Sequence, residues 1–109
     1  MKGTLFIDYS ALTINGVNCS LRNITEAEQL RNTTFNVDEL MRSTEKCFSD
    51  FAHGAKVKDI AHQLAIIESK LDENLQTLRE GIKRFEPWQV TIDLEVAEAY
   101  LAKIRRALT

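Results

Sequence analysis

The sequence predicts a mainly α-helical fold that begins with a β-hairpin. One short and three longer helices follow and form a small helical bundle, within a single domain spanning residues 1–109. Three observations predict this. Between residues 57 and 85 the apolar residues recur at steps of three and four, which is a helical period. Asn15-Gly16 lies between two short apolar-alternating runs and marks a tight hairpin turn. The chain has 109 residues, 44% of them hydrophobic and 28% charged, which suits one folded domain and not a disordered tail.

Residues 1–21 read as β-structure. Thr4-Leu5-Phe6-Ile7 is a short strand signal. Leu12-Thr13-Ile14 and Val17-Asn18-Cys19 flank Asn15-Gly16, and these two residues supply the positive-φ positions of a type I′ turn. A two-residue loop pairs Ile14 with Val17 and Leu12 with Cys19 on one face, with Thr13 and Asn18 on the other. An isolated hairpin is marginal in water, so its apolar face is expected to pack on the helices.

The first helix is expected over 25–31, opened by the capping box Thr25-Glu26-Ala27-Glu28. The polar run Asn32-Thr33-Thr34 then reads as a linker. A second helix is expected over 36–53. Asn36 is its N-cap, Phe35 staples onto Leu40, and Leu40, Cys47, Phe48 and Phe51 form its apolar stripe. Gly54 is placed to end it in the left-handed conformation, with His53 at the free carbonyls. The third helix, 56–86, carries a near-heptad seam of Ile60, Leu64, Ile67, Leu71, Leu75, Leu78, Ile82 and Phe85, and Pro87 stops it. Gly81 inside this pattern marks either a close helix approach or a break. The last helix, 92–108, has Leu94, Ala97, Leu101, Ile104 and Leu108 on one face. Its acids come early and its bases late, which suits the helix dipole.

Composition narrows the function. Sixteen acids against fourteen bases give a net charge of −2, and neither a basic nor an acidic block stands out. No apolar run is long enough for a transmembrane helix, and the charge at Asp8 interrupts any signal-peptide stretch, so a cytoplasmic protein is expected. Cys19 and Cys47 fit neither a disulfide scaffold nor a zinc pattern and read as small apolar residues. The triplets starting at Asn18, Asn23 and Asn32 match glycosylation acceptors but are better explained by turn and capping chemistry. Asp59 and His62 share a helix side without the second such pair that a bundle metal site needs. No nucleophile motif and no phosphate-cradling glycine loop occurs. The expectation is a protein that is not an enzyme and takes no cofactor or metal. Trp88, after Pro87, either covers a helix junction or anchors a partner. Tyr9 and Tyr100 read as half-buried packing residues.

One stretch, Phe51-Ala52-His53-Gly54-Ala55-Lys56-Val57-Lys58-Asp59-Ile60-Ala61-His62-Gln63-Leu64-Ala65-Ile66-Ile67-Glu68, resembles the LuxR/GerE-type helix-turn-helix of bacterial transcription regulators. Gly54, Lys58, Asp59, Ile60, Ala61, Leu64, Ile66 and Glu68 fall at that family's spacings. Leu71, Leu75 and Leu78 follow the apolar side of its recognition helix. The likeness covers about residues 45–85, and it implies a turn near Ala65–Ile67 and DNA contact by the helix that follows. Ala65 and Ile67 stand where the family has its turn glycine and capping serine. The same residues also fit one unbroken helix.

Two functional expectations follow. The first is a small non-enzymatic protein-interaction protein: an adaptor, chaperone-like or regulatory protein that binds another protein or itself as a homodimer through its long amphipathic helix. Its working surface would be Leu71, Leu75, Leu78, Ile82, Phe85 and Trp88. The alternative is a DNA-binding transcription regulator in which Lys56, Lys58, Lys70, Arg79, Lys83 and Arg84 contact phosphates. From residue 55 onward nine bases meet nine acids, so no net field favours DNA. No membrane partner is expected.

Overall fold

The computed structural model describes residues 5–88, 90 and 92–109. The order is three short strands, β1 (Ile7–Asp8), β2 (Thr13–Ile14) and β3 (Val17–Asn18), then helices α1 (Leu21–Ala52) and α2 (Val57–Arg84). A single 3-10 turn, Glu86–Trp88, and helix α3 (Glu95–Leu108) complete the chain. The class is as the sequence predicts, but among the described residues the α-helices number three, not four.

The strands form an antiparallel sheet in the order β1-β2-β3, so the expected hairpin has a third strand. Ile14 pairs with Val17 and Thr13 with Asn18, as the turn chemistry requires. Asn15 and Gly16 have φ of 51° and 80°. Ile7 lies opposite Ile14 on the other side. Of the apolar face, Ile14 is fully buried and Cys19 half-buried, while Leu12 and Val17 stay largely exposed. The middle strand, β2, packs over α1. Of the strand expected over residues 4–7, Thr4 lies outside the described residues, Leu5 and Phe6 are not in a strand, and Ile7 begins β1.

The β1–β2 turn is held by Asp8, whose Oδ1 accepts from the Ser10 amide (3.0 Å), the Ser10 hydroxyl (2.8 Å) and the Ala11 amide (3.1 Å). The Ser10 hydroxyl bond, followed by the Ala11 amide, holds the Asp8 carboxyl below its ordinary value of 3.8. Its contribution is therefore complete above pH 3.8 and is lost as pH falls through the lower folded-state value. A carboxyl titration followed by NMR is expected to give Asp8 a midpoint below 3.8; a midpoint at or above it contradicts this turn.

The largest departure from expectation is α1, one helix where residues 25–31 and 36–53 read as two. Its N-cap is Ser20, not Thr25: the Ser20 hydroxyl accepts from the Asn23 amide at 3.2 Å. The expected linker stays helical because its threonines satisfy themselves locally. Thr33 Oγ1 donates to the Gln29 carbonyl (2.8 Å) and Thr34 Oγ1 to the Leu30 carbonyl (3.1 Å). Such i−4 bonding removes the hydroxyl's demand for another partner, so threonine is tolerated in a packed helix. Thr34 and Thr44 thus occupy buried seam positions beside Ile24, Ala27, Leu30, Val37, Met41 and Cys47. Asn36 caps nothing, and Phe35 cannot staple onto Leu40, because both lie in mid-helix.

The end of α1 is as read. Gly54 has φ +97° and His53 Nδ1 lies 2.7 Å from the Ser49 carbonyl. A tight reversal leads into α2, which runs without interruption from Val57 to Arg84. The helix-turn-helix turn implied near Ala65–Ile67 is absent, since all three residues are helical. The heptad-like period continues through them, and neither glycine nor a capping side chain interrupts it. The bundle runs 53 Å along its long axis.

Gly81 marks a close approach, not a break. A Cβ there would press into Leu30 Cδ1 across the α1–α2 contact. Leu30 is buried and has no solvent to move into. Gly81→Ala is therefore expected to destabilise. Overpacking costs about 1–3 kcal/mol, against roughly 1 kcal/mol gained in helix propensity. A lower urea midpoint checks this, and a higher one refutes it.

The last helix begins at Glu95, three residues later than the expected 92. Asp93 Oδ1 accepts from the Glu95 amide at 2.9 Å, an Asx-type turn just ahead of the helix, whose N-cap Leu94 has no side-chain capping bond. Ion pairs of Arg79 with Glu98 and of Arg105 with Asp72 make α3 antiparallel to α2 and so parallel to α1.

Candidate functional site

The six residues expected to form a partner or dimer seam are largely spent inside the single chain. Leu71, Leu75 and Leu78 are 0% exposed and Phe85 is 1% exposed. Ile82 and Trp88 are half-buried. The reason is α1, which extends for 32 residues alongside α2 and covers the seam that a short companion helix could not. Trp88 covers a junction: its ring sits 5.5 Å from that of Phe85 at 55°.

The six bases of the DNA reading do not gather either. Lys58 and Lys83 are separated by roughly 37 Å of helix. Arg79 pairs with Glu98 (2.9 Å) and Arg84 with Glu26 (3.3 Å), so two of the six already hold carboxylates. Lys70 lies beside Asn36, Leu40 and Asn74 between α1 and α2, while Lys56 and Lys58 stand at the start of α2. A phosphate footprint needs clustered, unpaired charge.

A different surface does come together. Along one side of the bundle, α1 and α3 leave an open groove of about 470 Å³ lined by Glu45, Val96, Ala99, Tyr100, Lys103 and Arg106. It continues over Asp38, Met41 and Arg42, sharing Glu45, Val96 and Tyr100. Val96 is 50% exposed and Phe35 is 60% exposed. Phe35, Asp38 and Arg42 follow one another at i, i+3, i+7 on α1, so Phe35 lies on the same helix face about one turn before the groove. The exposed lining is mainly apolar, and acids and bases, Glu95 among them, share in it along its length.

The walls are braced where they meet. The Tyr100 hydroxyl donates to Glu45 Oε1. That bond, then burial, pushes the phenol's titration upward. Lys103 Nζ stands 4.4 Å over the Phe48 ring. Tyr100 is half-buried, as the sequence implied, yet neither Val96 nor Phe35 was read as part of a surface. The available signal was their position. Val96 lies off the Ala97, Leu101, Ile104 stripe, and Phe35 lies off the α1 seam, so each is an apolar residue with no core to enter.

Among the described residues no three His, Cys, Asp or Glu side chains converge as a metal site. Cys47 is buried with Sγ 3.3 Å from Gln63 Oε1. Burial, with a smaller push from the Asp50 charge, raises its thiol pKa. Cys19 is half-buried near the surface. A thiol reagent is therefore expected to label Cys19 in the folded protein and Cys47 only on unfolding. Equal labelling rates would contradict the packing at Cys47.

No helix of the described residues is long and apolar enough to cross a membrane. No protein-family model matches the chain, and no curated protein or solved structure matches it.

Proposed function

We propose that this chain is a small, non-enzymatic, cytoplasmic protein-interaction module. Its partner is an amphipathic helix of another protein, seated in the groove between α1 and α3. The observation that carries the reading is the open groove floored by Met41, Val96, Ala99 and the half-buried Tyr100 among charges of both signs, with Val96 and nearby Phe35 exposed. Two roughly parallel helices offer a trough that a third helix can enter with anchors at i, i+3, i+4 and i+7. Burying Val96 and Phe35 supplies the apolar gain, and the rim charges set orientation. The bundle's own seam is occupied, so it serves as a rigid support for this trough.

Site-specific photo-crosslinking in cells that make the protein tests the proposal. A crosslinker at Val96 or Phe35 is expected to give a discrete heavier species, and one at Asn74, on the other side, is not. Val96→Asp is expected to abolish the adduct formed from position 35 while leaving helical circular dichroism unchanged. Equal crosslinking from Asn74, or an adduct that survives Val96→Asp, overturns it. Duplex DNA titrated at low salt is expected to show no binding. Salt-sensitive binding lost on changing Lys83 and Arg84 to Ala would favour the regulator reading instead.

A further inference from the structure

Asn15 does more than shape its turn. Its amide nitrogen donates to the Phe6 carbonyl at 2.8 Å, and its side-chain Oδ1 accepts from the Phe6 amide at 2.8 Å. Its Nδ2 donates to the Trp88 carbonyl at 3.2 Å. One side chain thus clips the start of the sheet to the 3-10 turn that follows α2, across most of the sequence. Asn15 is also the one asparagine of six that glycine follows, and nothing lies within 4 Å of where a Gly16 Cβ would stand.

We propose that Asn15 is a deamidation site which the folded sheet protects, and whose modification releases the sheet from the Trp88 turn. The chemistry needs only water. The Gly16 backbone nitrogen attacks the Asn15 side-chain carbonyl carbon and loses its proton. The C–N bond to the side-chain amide breaks, and ammonia leaves. The resulting five-membered imide is opened by water at either carbonyl, giving aspartate or isoaspartate at position 15. Gly16 carries no side chain to obstruct the attack. In the fold, however, both heteroatoms of the Asn15 side-chain amide are held, so the carbonyl carbon cannot swing toward Gly16 while the Phe6 and Trp88 bonds persist.

The products cannot restore the clip. A carboxylate oxygen in place of Nδ2 meets the Trp88 carbonyl as acceptor against acceptor. An isoaspartate also lengthens the backbone of the two-residue turn and shifts the Ile14–Val17 register. Transient opening of the sheet would in this way become a permanent change. This is independent of what the α1–α3 groove binds.

The test follows the full chain in neutral buffer by peptide-mapping mass spectrometry, which reads the unit mass gain at residue 15. Trp88, the one tryptophan of the sequence, reports the release by fluorescence. The folded wild type is expected to deamidate at least about tenfold more slowly than the same chain in denaturant. Ile14→Ala, which loosens the buried middle strand, is expected to accelerate the reaction in native buffer by at least about threefold. Asn15→Asp is expected to red-shift Trp88 emission as deamidated wild type does. Folded and unfolded rates within twofold of each other would overturn the protection. Trp88 emission that stays at the wild-type position both in Asn15→Asp and in the deamidated protein would overturn the release.

Discussion

Leu75→Ala is expected to cost about 2–5 kcal/mol of unfolding free energy. Leu75 is fully buried at the middle of the α2 seam. Truncation removes its apolar contacts and leaves a cavity between long helices that cannot collapse locally. For a domain of this size each kcal/mol shifts the melting midpoint by roughly 4–8 °C. The loss is expected to be the same at every protein concentration, because the partner surface, α1, belongs to the same chain. A midpoint that moves with concentration would place a second copy against Leu75. Circular dichroism melts at two concentrations, with sedimentation as a check, make the distinction.

Phe85→Ala is expected to cost about 3–5 kcal/mol and to disturb a distant element as well. Phe85 caps the C-terminus of α2, and its ring packs on that of Trp88. The Trp88 carbonyl is where Asn15 holds the sheet. Removing the ring therefore weakens the bundle and unseats the turn to which β2 is clipped. Denaturant unfolding read by Trp88 fluorescence should show a lower midpoint and a red-shifted native baseline. A loss below about 1 kcal/mol with an unchanged emission maximum would contradict the packing, since a fully buried aromatic ring cannot be truncated that cheaply.

The parts of this architecture legible in sequence are those set by local chemistry. Asn15-Gly16 announced its turn and the Ile14–Val17 register, because two consecutive positive-φ positions favour those residue types. The period from Val57 to Phe85 announced α2, and Gly54 announced the end of α1. The division of α1 failed for a specific reason. Asn32-Thr33-Thr34 is polar and β-branched, and the back-bonds that keep it helical are invisible in composition. With α1 cut into two, no companion was long enough to cover the α2 seam, and Leu71, Leu75 and Leu78 read as a surface when they are core. The groove is not legible in the sequence because it depends on how α3 lies against α1. Val96 and Phe35 were visible only as apolar residues outside their stripes, and Asn15's bond to Trp88 spans most of the chain.

Hydrogen exchange of the isolated chain, across a wide range of protein concentration, tests most directly the claim that the long seam is an intramolecular core. Amides of α2 around Leu71–Leu78 are expected to be among the slowest, with facing amides of α1 from Leu30 to Thr44 protected alongside them. Their rates are expected to be independent of concentration. Protection of residues 71–85 that grows with concentration, while residues 30–44 exchange freely in dilute solution, would make the seam an interface between chains and contradict the account.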